Sequence, residues 1–207
     1  MQGEEALLNR LKDGLEGGVG VHDQEVTDDE ARRINGFQLL SAKPAIVAAN
    51  YGEDQVDEVE SIESGLAERV GEHRVPSGAV CGILEAELSD MSPEEQQEFR
   101  ESLGVRAPGQ QQILELSYRA LDLVTFLTVG EDEVKAWSIP KGTVAQEAAG
   151  RIHSDLKRGF IRAETVKYAD FIECGSHAEA RKRGLLRAEG KTYEVTDGDL
   201  INFQFNV

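Results

Sequence analysis

The chain changes character near residue 122, and that break limits what it can fold into more than its length does. Through Asp122 it carries 10 Lys and Arg against 26 Asp and Glu, a net of −16; the remaining 85 residues carry 12 and 13, a net of −1. The formal charge of −17 over 207 residues therefore describes the first part almost alone. The element pattern changes at the same place. Short apolar runs alternating with helical stretches give way to a hairpin, a helix and returning strands. No internal repeat or low-complexity tract joins the two parts, so the expectation is two architectures in succession, α/β followed by α+β.

Three zones follow. Residues 1–40 read as helical: Ala6, Leu7, Leu11 and Leu15 recur at helical spacing up to a break at Gly17-Gly18-Val19-Gly20. Thr27-Asp28-Asp29-Glu30 has the capping-box spacing and opens a second helix through Asn35. Residues 41–122 alternate strand and helix. Pro44–Asn50 is a short apolar run ending on a polar residue, the pattern of a buried parallel strand whose C-terminal end reaches a ligand crevice. Next come an acidic helix from Gln55 to Val70, a strand within Val75–Gly82 and a helix started by Ser92-Pro93. A last helix, Gln110 to Asp122, offers Ile113, Leu114, Leu116 and Leu121 to a core. Two strands make only part of a sheet.

Residues 123–207 predict a small domain of their own. Leu123–Val129 and Val134–Ile139 flank Gly130-Glu131-Asp132-Glu133, a connection suited to a hairpin. Thr143 caps a helix with Val144, Ala148, Ala149, Ile152 and Leu156 on one face, ended by Lys157-Arg158-Gly159. Strands at Phe160–Tyr168, Thr192–Val195 and Asp199–Asn206, with a short basic helix Ser176–Arg183, complete an α+β domain of the β-grasp type.

Several function classes fall away. The longest apolar run, Ala45-Ile46-Val47-Ala48-Ala49, is far short of the roughly 18 residues a membrane-spanning helix needs. The N-terminal residues lack the basic and apolar regions of a secretory signal, so the expected compartment is the cytoplasm. Cys81 and Cys174 lie in no metal-ligand spacing and form no disulfide framework. The acidic balance opposes non-specific binding to nucleic acid, DNA included, unless basic residues are segregated.

The residues then carry a family resemblance. Phe126–Thr143, Ala148–Asp155, Gly159–Glu164 and Asp197–Val207 are similar to the C-terminal TGS domain of the YchF family, the Obg-like ATPases, a branch of the translation-factor class of P-loop NTPases. Leu40-Ser41-Ala42-Lys43-Pro44, the Asn50-Tyr51-Gly52-Glu53 strand end and Leu84-Glu85-Ala86-Glu87-Leu88 resemble the family's preceding domain. The resemblance implies a remnant of a helical arm at 1–40, the C-terminal part of a nucleotide-binding G-type domain at 41–122 and a TGS β-grasp domain at 123–207. It implies a partial P-loop NTPase-type α/β sheet, with the chain as the back half of a longer protein. The phosphate-cradling G-x-x-x-x-G-K-[ST] is not in the sequence, nor are the Mg²⁺-binding and switch elements. No phosphoryl transfer is expected from these residues alone. ATP, or GTP, and Mg²⁺ belong to a complete protein.

The base-reading edge remains. Asn50, Tyr51 and Glu53 fill the family's N-x-x-E, where guanine-specific relatives carry N-K-x-D; an Asn amide both donates to and accepts from a purine edge. Tyr51 would wall the base. Cys81, Gly82 and Ile83 stand where the family offers backbone N–H groups to the purine, with Ser77-Gly78-Ala79 a competing register.

Plainer readings stand beside these. Asn50 and Glu53 would serve equally to end a strand and start a helix. Cys81 near His73 suggests a thiol nucleophile, but a small buried side chain fits better without an orienting partner. Glu85 and Glu87 read as solvated or capping residues, His153 with Asp155 as a helix-end cap, and Trp137 as core. Lys157, Arg158, Arg181, Lys182, Arg183 and Arg187 are the candidate contacts to the ribosome or its RNA, offset by Glu179 and Glu189. Two functions follow: the C-terminal part of a ribosome-associated nucleotide hydrolase, or a self-standing ribosome- or protein-binding TGS module without nucleotide chemistry.

Overall fold

The computed structural model describes residues 2–70, 75–105, 107–130 and 133–206. The chain divides after Ala120 into two units, each with its own core.

In the first unit, α1 (Gln2–Glu16) buries Leu7 and Leu11 against Val21 and Ile34. The helix ends in a Schellman turn. Gly18 takes a left-handed φ of 81°, and the Val19 N–H bonds the Gly14 carbonyl at 2.9 Å. The chain turns away there, leaving Leu15 43% exposed although its spacing matches the buried pair. α2 (Asp28–Ile34) opens with the expected capping box: the Glu30 N–H donates to Thr27 Oγ1, and the Thr27 N–H to Glu30 Oε2. Arg10 joins α1 to α2 by its 2.8 Å ion pair with Glu30.

β1 (Val47–Asn50) and β2 (Ser77–Val80) form a two-stranded parallel sheet with Asn50 opposite Val80. Between them a 3₁₀ turn, Glu53–Glu58, precedes α3 (Val59–Val70), so the segment expected as one helix from Gln55 is two. The Gln55 side chain accepts the Gly52 N–H at 3.2 Å and starts the tighter turn. α4 (Gly82–Leu88), α5 (Pro93–Ser102) and α6 (Gly109–Ala120) follow. α5 begins with a second capping box, Ser92 with Glu95, and Pro93 at the first helical position. Tyr51, Ala79, Cys81, Leu84 and Leu88 form the core. On α6 only Leu116 of the expected leucines is buried; Leu114 is 57% exposed and Leu121, beyond the helix, 54%.

The second unit is a five-stranded sheet in the order β4-β3-β7-β5-β6. β3 (Leu123–Val129) and β4 (Val134–Pro140) are the expected antiparallel hairpin, whose Glu131 and Asp132 lie outside the described residues. β7 (Asp199–Phe205) lies between β3, to which it is parallel, and β5 (Phe160–Lys167), to which it is antiparallel. The period of two in β7 sends Ile201 and Phe203 to one face, with Phe126, Ile139 and the alanines of α7 (Ala145–Ile152). Leu200 goes to the other, with Val166 and Ala180.

Local expectations fail here for identifiable reasons. Thr143 does not cap α7: its hydroxyl donates to the Pro140 carbonyl, Val144 is the cap residue, and the Tyr193 carbonyl takes the Ala145 N–H at 2.7 Å. The expected single helix breaks at His153, whose φ of −159° and ψ of 144° are extended. Its Nδ1 accepts the Asp155 N–H and starts α8 (Ser154–Arg158). Thr192–Val195 makes only an isolated bridge, Val144 to Glu194; the strand is β6 (Arg187–Glu189) instead. α9 (Tyr168–Cys174) stands before α10 (His177–Lys182) where no helix was expected, closed by Gly175 at φ 73°.

Candidate functional site

Parallel pairing brings the C-terminal ends of β1 and β2 side by side, so residues 32 apart meet. Asn50 Oδ1 accepts the Gly82 N–H at 2.9 Å. That N–H is a donor, so the amide oxygen must face it, which leaves Nδ2 as the group Asn50 can offer elsewhere. A Cβ on Gly82 would lie 3.2 Å from Asn50 Oδ1, closer than ordinary packing, so glycine is what lets the strand end and helix start approach. Cys81 is 3% exposed and Ile83 58%. Cys81-Gly82-Ile83 thus forms the strand-to-helix turn. Ser77-Gly78-Ala79, the competing register, lies in β2 with its backbone in the ladder.

Tyr51 is placed differently from the sequence expectation. It is 6% exposed and packs with Ala79, Cys81, Leu84 and Leu88, so it serves the core and is not an open wall for a base. Burial pushes its phenol up from the ordinary value. Glu53 is exposed at the start of the 3₁₀ turn. His73, the partner considered for Cys81, lies outside the described residues.

Glu85 is not a solvated surface acid. Arg100, 8% exposed, grips both its carboxylate oxygens, Nη2 to Oε2 at 2.9 Å. This bond, and the Gly109 N–H, hold its carboxyl below the ordinary value despite burial. One ion pair therefore ties α4, α5 and the start of α6 behind the Asn50–Gly82 contact. Residues 15 apart on separate helices leave no signal in the sequence.

Each of the six basic candidates meets a carboxylate. Lys157 pairs with Glu147 and Arg158 with Asp155, both at 2.6 Å. Arg181 pairs with Glu164 at 3.1 Å, and Lys182 and Arg183 share Glu179 at 3.7 and 3.1 Å. Arg187 lies 3.7 Å from Glu189 and 4.0 Å from Asp199. Trp137 is half-buried on the core, its Nε1 donating to Thr128 Oγ1 at 3.0 Å.

A polar network at Asp199, which sequence reasoning missed, organises the second unit. Asp199 is fully buried; its Oδ2 accepts from Tyr193 Oη at 2.8 Å and the Thr196 N–H at 2.9 Å, and Lys167 Nζ lies 2.8 Å from Oδ1. Burial pushes the Asp199 carboxyl up, but the bonds from Lys167, Thr196 and Tyr193 outweigh it and hold the group below the ordinary value. Among the described residues no three His, Cys, Asp or Glu side chains converge as a metal-ligand set. No helix among them is long and apolar enough to cross a membrane.

Comparison with known proteins places this geometry. Residues 123–206 match the family YchF-GTPase_C, described as "Protein of unknown function (DUF933)". The chain is 40% identical over 205 residues to the "Ribosome-binding ATPase YchF" of Bacillus subtilis (strain 168), covering 97% of this chain and 56% of that protein. It is 37% identical over 206 residues to the protein of the same name from Escherichia coli O157:H7, covering 99% and 56%. The solved structure of the Schizosaccharomyces pombe YchF GTPase superposes with a TM-score of 0.81 at 28% identity, over 98% of this chain and 55% of that one. The chain thus spans about half the length of the curated relatives it matches. In sequence and in fold it belongs to the YchF family, of which it represents the C-terminal part.

Proposed function

We propose that these residues supply the purine-recognition edge and a regulatory TGS domain to a cytoplasmic, ribosome-associated ATPase. The carrying observation is the Asn50–Gly82 contact at the ends of two parallel strands, where open α/β sheets bind ligands. In this reading residues 1–40 are the remnant of a helical arm and 41–122 the back of the nucleotide-binding domain. Residues 123–207 are the TGS β-grasp domain, a reading supported by the β3–β4 hairpin, the helix after it and the returning β5 and β7. ATP is the nucleotide, with GTP as second choice. Mg²⁺ enters with the phosphates, in a complete protein.

The matched relatives are named ribosome-binding ATPases, which supports the ribosome as partner. Arg181, 66% exposed in its side chain, and Arg183, 49% exposed, are the proposed contacts. The more exposed Arg183–Glu179 pair contributes only about 0–1 kcal/mol, so a phosphate backbone can compete for Arg183. Glu164 is buried but keeps Arg162 as a second partner at 3.2 Å if Arg181 turns to a phosphate.

Turnover by the 207-residue chain should not rise above background with ATP or GTP; hydrolysis abolished by Asn50→Ala would overturn this. Co-sedimentation with ribosomes should weaken on Arg181→Glu plus Arg183→Glu, and unchanged binding would remove the basic run from the interface. A second reading is favoured by the separate core of the second unit: a self-standing ribosome- or protein-binding module. Residues 121–207 binding ribosomes as tightly as the whole chain, with no nucleotide effect in either, would decide for it.

A further inference from the structure

A cleft in the first unit, which includes neither Asn50 nor Gly82 in its lining, lies between α2 and the 3₁₀ turns Val21–Asp23 and Leu40–Ala42. Its volume is about 440 Å³, inside the roughly 300–1,000 Å³ range of small-molecule sites. The lining is mixed: the buried Val21 and Ile34, with Val26 and Leu39, give it an apolar part, and Gln24, Asn35 and Gln38 add polar groups. Gln38, at the rim, is held at a left-handed φ of 51°, its Nε2 bonded to the Asn35 carbonyl at 2.7 Å, so the opening is shaped in advance.

The charge at this cleft runs against its surroundings. Carboxylates outnumber basic residues 26 to 10 through Asp122, yet none of the twelve lining residues is acidic and two are His22 and Lys43. Arg10, Lys12, Arg33, Arg100 and Arg119 all pair with carboxylates. Lys43 has no ion pair among the described residues. Asp23, at the end of the bordering 3₁₀ turn, and Glu25, between the lining Gln24 and Val26, are the carboxylates nearest in sequence; neither lines the cleft, so Lys43 is the fixed cation that a ligand inside would meet.

We propose that this cleft binds a small amphipathic anion, an aryl or medium-chain carboxylate, with its apolar body on Val21, Ile34 and Leu39 and its head at Lys43. The test is a titration of the 207-residue chain with decanoate, followed by heteronuclear NMR, against decyltrimethylammonium, the same tail with the opposite charge. Decanoate should move the amide signals of Ile34, Leu39 and Ala42 and bind at least about tenfold more tightly than the cation. Lys43→Glu should weaken decanoate about tenfold or more without lowering the thermal midpoint, because the side chain makes no ion pair among the described residues. Ala31→Phe, at an exposed position on the wall, should close the cleft to decanoate. No shifts, shifts mapping elsewhere, equal affinity for the two amphiphiles or undiminished binding to Lys43→Glu would each overturn the proposal.

Discussion

Replacing Arg100 by Met should loosen the first unit and leave the second untouched. Arg100 is 8% exposed, and its partner Glu85 also accepts the Gly109 N–H, so one carboxylate joins three helices. Removing one member of a buried ion pair costs about 3–5 kcal/mol. Glu85 keeps 24% side-chain exposure and can recover some hydration, which puts the expected loss at the lower end, about 3 kcal/mol. With an unfolding entropy of about 2.1 cal/mol/K per residue, a unit of about 120 residues should melt about 12 °C lower. Calorimetry measures the first unit, while fluorescence of Trp137, the only tryptophan, follows the second as an internal control. The pH dependence has a definite sign. Because Glu85 is held below its ordinary value in the fold, its contribution is complete above the unfolded carboxyl pKa of about 4.3 and is lost as the pH falls through the lowered folded value. Arg100→Met should therefore flatten the acid limb of the stability curve. A first transition moved by less than about 3 °C, or an equal shift of the Trp137 transition, would falsify the reasoning.

Three further outcomes follow from the second unit and the strand end. A Cβ on Gly159 would stand 2.1 Å from the Asn206 carbonyl oxygen, so Gly159→Ala should cost about 2–3 kcal/mol, read as a Trp137 fluorescence midpoint lower by about 10–15 °C. Asp199→Asn leaves Lys167 beside a neutral amide and should cost about 2 kcal/mol in the same assay, with the loss shrinking as the pH falls from the unfolded carboxyl pKa of about 3.9 through the lowered folded value. In the longer protein, Glu53→Asp should shift nucleotide preference from ATP toward GTP; an unchanged ratio in competition binding removes Glu53 from base selection.

Much of the local structure was legible because its causes lie within a few residues. Thr27 with Glu30, and Ser92 with Glu95, cap helices at a spacing of three, and the hairpin flanks pair as their alternation implies. The errors arose where a distant segment intervened. Tyr193 supplies the carbonyl that starts α7, so Thr143 was free to bond elsewhere. Tyr51, read as a wall for a base, is drawn inward because its ring fills space among Cys81, Leu84 and Leu88, side chains 30 or more positions away. At the candidate site the residue types were visible, but not that the Asn50 oxygen is already occupied.

By itself the sequence determined the change of architecture near residue 122, the acidic character of the first part and the family to which the whole belongs. These rest on composition, short-range periodicity and ordered motifs, all carried along the chain. Tertiary structure alone decided that Asn50 meets Gly82, that Arg100 closes on Glu85 and that the buried Asp199 draws Lys167, Tyr193 and Thr196 into one network. Such pairings are set by how helices and strands pack, and packing free energy belongs to no single stretch of chain.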